Sequence, residues 1–488
     1  MSFKFGSGDA ADRSTSELPS EVWRWDAKDV ADQIRAGTIS CSEVAASYLK
    51  RISQVNPKLN AIVHLDEERV LRAAKQADET LKRQGAVGPL HGVPVTIKLN
   101  VDVKGEATTN GVVANKALIA PEDSAVVTNL RRSGAIILGR TNVPSFSYRW
   151  FTENPLYGRT LNVWSDEITS GGSSGGAAVS VAAGMCPLAH GTDIAGSIRY
   201  PAYVCGVAGL RPTPGRVPAY SSTVSLRAFG LQTMSAQGPI ARSVGDLRLS
   251  LKEMAQRDTR DPMWVDARLE YEDDDKPVRV ALVDDMDGVV IAPEIRDALV
   301  RAAGWLSNAG YFVERVRPPS IVDVAQMWLS CARTEAETGM LAAVEATGDP
   351  IIMKSVHDLF GLAKPLDASG YVNLMKTRDV MRREWNELFA RFPLVLMPTS
   401  CQLPFQWGED LQGPNRYERM VSEQSPLMAT AALSLPGLSV PVGLVNDIPV
   451  GVQLVAESFR EFRMLAAGEV IERAASMPRS YDRIFDIK

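Results

Sequence analysis

Histidine is scarce in this chain. Four occur in 488 residues, His64, His91, His190 and His357, with no HExxH and no paired CxxC. That argues against a zinc enzyme, and no metal or other cofactor is called for. Cysteine is nearly as rare: Cys41, Cys186, Cys205, Cys331 and Cys401 are scattered and odd in number. A disulfide framework is thereby disfavoured, and reduced thiols in a cytoplasm fit better. Cys205 reads as a small buried hydrophobe. Neither charge sign dominates: 53 Lys and Arg against 58 Asp and Glu give a net charge of −5, with no basic patch. Nucleic acid is therefore not an expected partner. No apolar run is long enough for a bilayer, since the longest, 177–189, is rich in Ala and Gly and broken by Pro187. Residues 2–19 are polar and mixed in charge, without the apolar centre of a signal peptide. What remains is 45% hydrophobic, 23% charged and 7% aromatic, the composition of a soluble protein with a sizeable core.

Length alone favours about three domains. Ser40 and Glu43 form a capping-box pattern, followed by Val44, Tyr48, Leu49 and Ile52 at helical spacing. A second helix is predicted over 66–83, with Val70, Leu71, Ala74, Ala77 and Leu81 on one face and Gly85 as its stop. Short β-branched runs at 93–97, 135–138, 278–283, 394–396, 438–442 and 450–455 read as strands. Helical stretches lie between most of them, which predicts an α/β layered fold. The acidic run 270–275 reads as a solvated loop. It opens a mainly helical section, 256–391, in which Pro293 holds a first helical position. No internal repeat or low-complexity tract is found, and this section is read as an insertion or cap rather than a separate domain.

Two serine-bearing glycine loops carry the chemistry. The first is Gly171-Gly172-Ser173-Ser174-Gly175-Gly176, running into a helix at about 177–183. The second is Gly191-Thr192-Asp193-Ile194-Ala195-Gly196-Ser197-Ile198-Arg199. Glycine allows sharp turns and close backbone approach, so each loop can present a hydroxyl beside a row of N–H groups. A serine attacks only if a neighbour takes its proton. Lys98, closing the apolar strand 93–97, qualifies if desolvation keeps it neutral near pH 7. Each residue alone has a plainer reading. Lys98 would be a surface lysine at a strand end, Ser197 a helix cap, and Asp193 with Arg199 a structural ion pair. Ser173 and Ser174 would be a turn that binds an anion.

Together these segments resemble the amidase signature family. Cys205-Gly206-Val207-Ala208-Gly209-Leu210-Arg211-Pro212-Thr213 fits as well, and so do Gly139-Arg140-Thr141-Asn142-Val143-Pro144 and Gly238-Pro239-Ile240-Ala241-Arg242-Ser243. Pro398-Thr399, Leu435-Pro436-Gly437 and Pro449-Val450-Gly451-Val452-Gln453 complete the match. Lys98 and Ser173 stand 75 residues apart and Ser173 and Ser197 stand 24 apart, as in the family. The resemblance covers about 25–475 and is weakest in the helical section. It implies one large domain, a mixed central sheet flanked by helices on both faces. It also implies a serine amidohydrolase in which Ser197 is the nucleophile, Ser173 a bridging serine at a cis peptide, and Lys98 the base. The N–H groups of Ile194, Ala195, Gly196 and Ser197 would form the oxyanion hole, with Asp193, Arg199 and Ser174 as supports. Two departures stand out: Leu99 replaces a common Asp, with Asn100 retained, and Ala195 replaces a common Gly. Alanine keeps its N–H, so the oxyanion hole implied by the resemblance survives if the backbone at Ala195 has a negative φ.

The expected reaction cleaves an amide to a carboxylic acid and ammonia or an amine. Tyr148, Trp150 and Phe151, with Met327, Trp328 and Met375 from the helical section, are expected to shape an acyl pocket for aryl or alkyl amides. Core packing explains each of them equally well. Expected partners are a small-molecule amide, with neither nucleic acid nor membrane, and a homodimer is left open. Three rival readings stay in view. G-x-S-x-G at 171–175 also matches a nucleophile elbow, which needs a preceding apolar strand and a late histidine such as His357. The loops could cradle phosphate, although no nucleotide motif is present. The same signature serves a glutaminase-type amidotransferase component, and esters or carbamates suit the same triad.

Overall fold

In the computed structural model, residues 21–224, 226–270, 277–482 and 484 are described. The N-terminal segment 2–19 and residues 271–275 of the acidic run lie outside them. Ser40 accepts the Glu43 amide while Glu43 caps the Ser40 N–H, so helix α1 (Cys41–Leu59) opens with a closed capping box. Helix α2 (Glu67–Gln84) is capped by Asp66 and ends at Gly85, where φ is 81°. Val70 and Ala74 are buried as their spacing predicts, but Leu71 is 43% exposed. Neighbours in a helix point about 100° apart, so Leu71 does not share the face of Val70.

Eleven strands form one sheet: β1 (Ile62–His64), β2 (Pro94–Lys98), β3 (Ile136–Thr141), β4 (Leu188–Asp193), β5 (Ala208–Arg211), β6 (Ala236–Ala241), β7 (Arg279–Leu282), β8 (Phe312–Arg315), β9 (Leu394–Pro398), β10 (Gly437–Val445) and β11 (Ile448–Ala456). Their spatial order is β1-β3-β2-β4-β6-β5-β10-β11-β9-β7-β8. The sheet is mixed. β2 runs parallel to β3 and β4, whereas β4, β6, β5, β10 and β11 alternate in direction. Successive strand residues face opposite sides, and every residue of β2, β3 and β6 is buried. Helices therefore cover both faces.

All six predicted strands form. The sequence reading missed β1, β4, β5, β6 and β8. β4 and β6 carry Gly, Asp, Gln and Pro among small residues, which reads as loop, and burial on both faces removes the alternation that marks a strand. The helical section holds helices α5 (Pro293–Asn308), α6 (Ile321–Ala336), α7 (Pro350–Phe360) and α8 (Ala368–Arg391), yet β7 and β8 within it extend the central sheet beside β9. Two other helices, α3 (Gly175–Ala182) and α4 (Arg199–Cys205), follow the two serine loops. Helices α9 (Pro414–Glu423) and α10 (Ser425–Ala432) precede β10.

Candidate active site

Parallel pairing sets the site. Val95 opposes Leu188 and Thr96 opposes Ala189, so the C-terminal ends of β2 and β4 lie side by side, where open α/β sheets place their ligands. Lys98, the last residue of β2, is fully buried rather than a surface lysine. Its Nζ donates to Ser173 Oγ at 2.7 Å and to Thr192 Oγ1 at 2.8 Å. Burial pulls its pKa down to about 7, opposed only by the charge of Asp193. Leu99 is buried beside it. A neutral amine retains a lone pair, so this contact can carry a proton from Ser173 to Lys98.

Ser173 sits at the turn into α3, and its peptide bond to Gly172 is cis. The glycines before it are required by contact. A Cβ on Gly172 would lie 2.2 Å from the Arg149 carbonyl oxygen, and one on Gly171 would lie 2.5 Å from Pro201 Cα. Ser174 ties the two loops together, its N–H donating to the Ser197 carbonyl at 3.1 Å. Ser173 is 1% exposed and Ser197 7%.

Asp193 organises the second loop. Its carboxylate accepts the Gly196 N–H at 2.9 Å, the Ile198 N–H at 3.1 Å and the Arg199 Nε at 3.0 Å. Arg211 lies 3.5 Å away and donates to the Asp193 carbonyl at 2.5 Å. Burial alone would raise this carboxyl, but the Arg199 guanidinium, then Arg211, holds it well below the usual carboxylate range. Arg199 also reaches Gln453 at 2.6 Å. Of the four expected oxyanion N–H groups, that of Gly196 is thus engaged by Asp193. Ala195 is not among the residues with positive φ, whereas Gly196 has φ of 101°. Two indoles brace the turn: Trp150 Nε1 donates to the Ala195 carbonyl at 3.2 Å and Trp328 Nε1 to the Ile194 carbonyl at 2.9 Å.

Two clefts meet at Ser197. One, of about 40 Å³, is mostly apolar, with Tyr148, Trp150, Trp328, Leu359 and Tyr417 over Ile194, Ala195 and Ser197. The other, of about 290 Å³, is the more polar of the two and reaches both Ser173 and Ser197; Asn100, Ser221, Arg227 and Gln237 line it together with Val101, Phe146 and Val224. Three residues expected in the acyl pocket do not line either cleft. Phe151 stacks on Phe405 at 6.2 Å and meets Trp407 at 5.8 Å, inside the core. Met327 is buried in packing on α6, and Met375 lies half-buried against the core.

Sequence reasoning missed Thr192, Leu359 and Tyr417. Thr192 lay within the quoted loop segment, whereas Leu359 and Tyr417 come from α7 and α9, where no motif marks them. Tyr417 stacks on Trp150 with ring centres 6.5 Å apart. The Arg149–Asp410 pair, 2.7 Å apart and buried, lies beside them. His357 is exposed and paired with Glu345 at 2.6 Å. Residues 163–169 form no strand beyond isolated bridges at Ile168 and Thr169. The nucleophile-elbow reading loses both its supports.

The model of the Amidase family matches residues 43–465. An indoleacetamide hydrolase of Bradyrhizobium diazoefficiens is 42% identical over 458 residues, 93% of this chain and 87% of the relative. The A component of the glutamyl-tRNA(Gln) amidotransferase of Carboxydothermus hydrogenoformans is 31% identical, over 93% of this chain and 98% of that relative. The crystal structure of a bacterial aryl acylamidase superposes with a TM-score of 0.81 at 26% identity, covering 94% of this chain and 98% of that one. A family match of that extent, over a chain that buries its lysine beside the first serine loop, leaves one assignment: the chain belongs to the amidase signature family and is an amide-hydrolysing enzyme.

Proposed function

We propose that Ser197 attacks the amide carbonyl and that Lys98, neutral, takes its proton through Ser173. The bond from Ser197 Oγ to the acyl carbon forms as the C–N bond breaks, and Ser173 hands a proton to the departing nitrogen. Water then cleaves the acyl-enzyme by the same relay. The carbonyl oxygen would be received by the N–H groups of Ile194, Ala195, Gly196 and Ser197, with that of Gly196 shared with Asp193. Asp193, Arg199 and Ser174 hold the loops in register. The observation that carries this reading is the buried Lys98, 2.7 Å from Ser173 and shifted to a pKa of about 7.

The acyl group enters the aromatic cleft between Trp150, Trp328 and Tyr417. Flat rings stack well there, so the proposed substrates are primary amides of small aryl or arylalkyl acids. The 42% identical indoleacetamide hydrolase supports that class. A glutamine side chain would leave this apolar wall unmatched, which disfavours the amidotransferase reading despite the 31% identical relative. Buried, unpaired thiols at all five cysteines support a reducing compartment, the cytoplasm. The test is the purified single chain against arylacetamides, glutamine and the matching esters, with ammonia or alcohol release as readout, plus peptide mapping of a fluorophosphonate adduct. Label on Ser197 with turnover of arylacetamide is expected. Glutamine as the preferred amide, or label elsewhere, overturns the reading.

A further inference from the structure

The two clefts differ in which serine they touch, and this separates the two halves of an amide. The aromatic cleft reaches Ser197 but not Ser173, whereas the polar one reaches both. In the proposed mechanism, on which this inference rests, Ser173 delivers the proton to the leaving nitrogen. The nitrogen side of the substrate must therefore face the polar cleft. At about 290 Å³ that cleft is larger than ammonia requires.

Its wall is also built for more than ammonia. Asn100 Oδ1 and Ser221 Oγ are both buried and without a hydrogen-bond partner among the described residues, although buried polar atoms are nearly always paired. The cation of the cleft is Arg227, whose nearest ion partner, Asp261, stands 4.0 Å away. Asp261 is itself held by the Ala219 and Met263 N–H groups at 2.7 and 3.0 Å. The other charged residue on the wall, Asp193, is committed to Arg199 and Arg211. An anionic group in the cleft would thus meet one loosely held guanidinium and the Ser221 hydroxyl, which can donate to it, while Asn100 Oδ1, an acceptor only, is left for the substrate N–H; no unpaired carboxylate on the wall repels the anion.

We infer that this enzyme also hydrolyses N-acyl amino acids: an arylacyl group in the aromatic cleft, and an amino acid leaving through the polar cleft with its carboxylate on Arg227. Ser197 Oγ bonds to the acyl carbon, the C–N bond breaks, and Ser173 protonates the amino acid nitrogen. Water releases the aryl acid, so one amide and one water yield one acid and one amino acid, with no other reactant.

The test compares N-phenylacetylglycine with N-phenylacetylglycinamide, in which a neutral carboxamide replaces the carboxylate of the leaving group, and follows release of glycine or glycinamide themselves, so that cleavage at the terminal carboxamide is not counted. Wild-type kcat/KM should favour the carboxylate at least tenfold. Arg227→Gln should cut that ratio at least tenfold, and Arg227→Lys should restore part of it. High salt should narrow the wild-type ratio as well. Equal rates for the two conjugates, or a ratio unmoved by Arg227→Gln, overturn the inference. So does turnover of phenylacetamide with neither conjugate cleaved. Failure on phenylacetamide itself instead strikes the underlying mechanism, so the two failures are told apart.

Discussion

An ammonium buried away from water costs several kcal/mol unless a partner offsets it, and Lys98 has only Asp193, already engaged by Arg199 and Arg211. Shedding the proton near neutrality relieves that cost and leaves the lone pair a base needs. A pKa of about 7 has consequences for both rate and stability. For the rate, kcat/KM should rise with pH through about 7 and level off above, because only neutral Lys98 accepts a proton. Lys98→Arg, which cannot shed its charge, should lose about a thousandfold or more. A flat acid limb would remove Lys98 from the mechanism. For stability, unfolded lysine titrates near 10.4. Between about pH 7 and 10 the unfolded chain therefore holds a proton that the folded chain has released, and this group makes stability rise with pH across that window. Below about 7 both states are protonated and the burial penalty is present in full. Lys98→Met should accordingly be more stable than wild type at pH 6.5, by on the order of several kcal/mol, with the gap closing towards pH 10. Urea midpoints at three pH values measure it. A pH-independent gap would mean that Lys98 is not the group titrating.

At the scale of elements, the site depends on strand ends more than on strands. Asp193 ends β4 and gathers the backbone of 196–198 with two buried guanidinium groups. Asp193→Asn keeps the shape but leaves Arg199 and Arg211 without their countercharge, so a loss of about 3–5 kcal/mol in unfolding free energy is expected, with activity falling as the turn loosens. A midpoint within experimental error of wild type would show that the loop holds itself. The motif residues were legible here because chemistry and backbone constraint coincide: Gly171 and Gly172 admit no side chain, and the serines follow them directly. β4 and β6 were not legible as strands for the same reason. Small and polar residues chosen to let the loops approach erase the β-branched alternation that marks a strand.

For the whole molecule, the layered fold could be read from the six apolar runs, and the segments that bring Lys98, Ser173 and Ser197 together from the strand end and the two glycine loops. The far wall of the aromatic cleft could not. Trp328 was named from its bulk, but so were Met327 one residue before it and Phe151 beside Trp150, and both turned into the core. Adjacent residues are alike in composition but point in different directions, and only packing decides which faces the cleft. Tyr417 and Leu359 arrive from α9 and α7 through tertiary contacts that leave no local pattern. Trp328 joins the two scales, since its ring walls the cleft while its Nε1 holds the Ile194 carbonyl at 2.9 Å. Two substitutions separate these roles. Trp328→Ala removes the wall, so the kcat/KM ratio of phenylacetamide to acetamide should drop about tenfold or more, consistent with the one to three kcal/mol carried by such apolar contact. Trp328→Phe keeps most of the wall but leaves a part-buried carbonyl without its donor, costing about 1 kcal/mol. That strain falls on the turn bearing the N–H groups, so it should lower kcat for both amides alike and leave their ratio nearly unchanged. If the Phe variant instead loses selectivity while kcat holds, Trp328 serves the substrate alone and the bracing of the turn lies elsewhere.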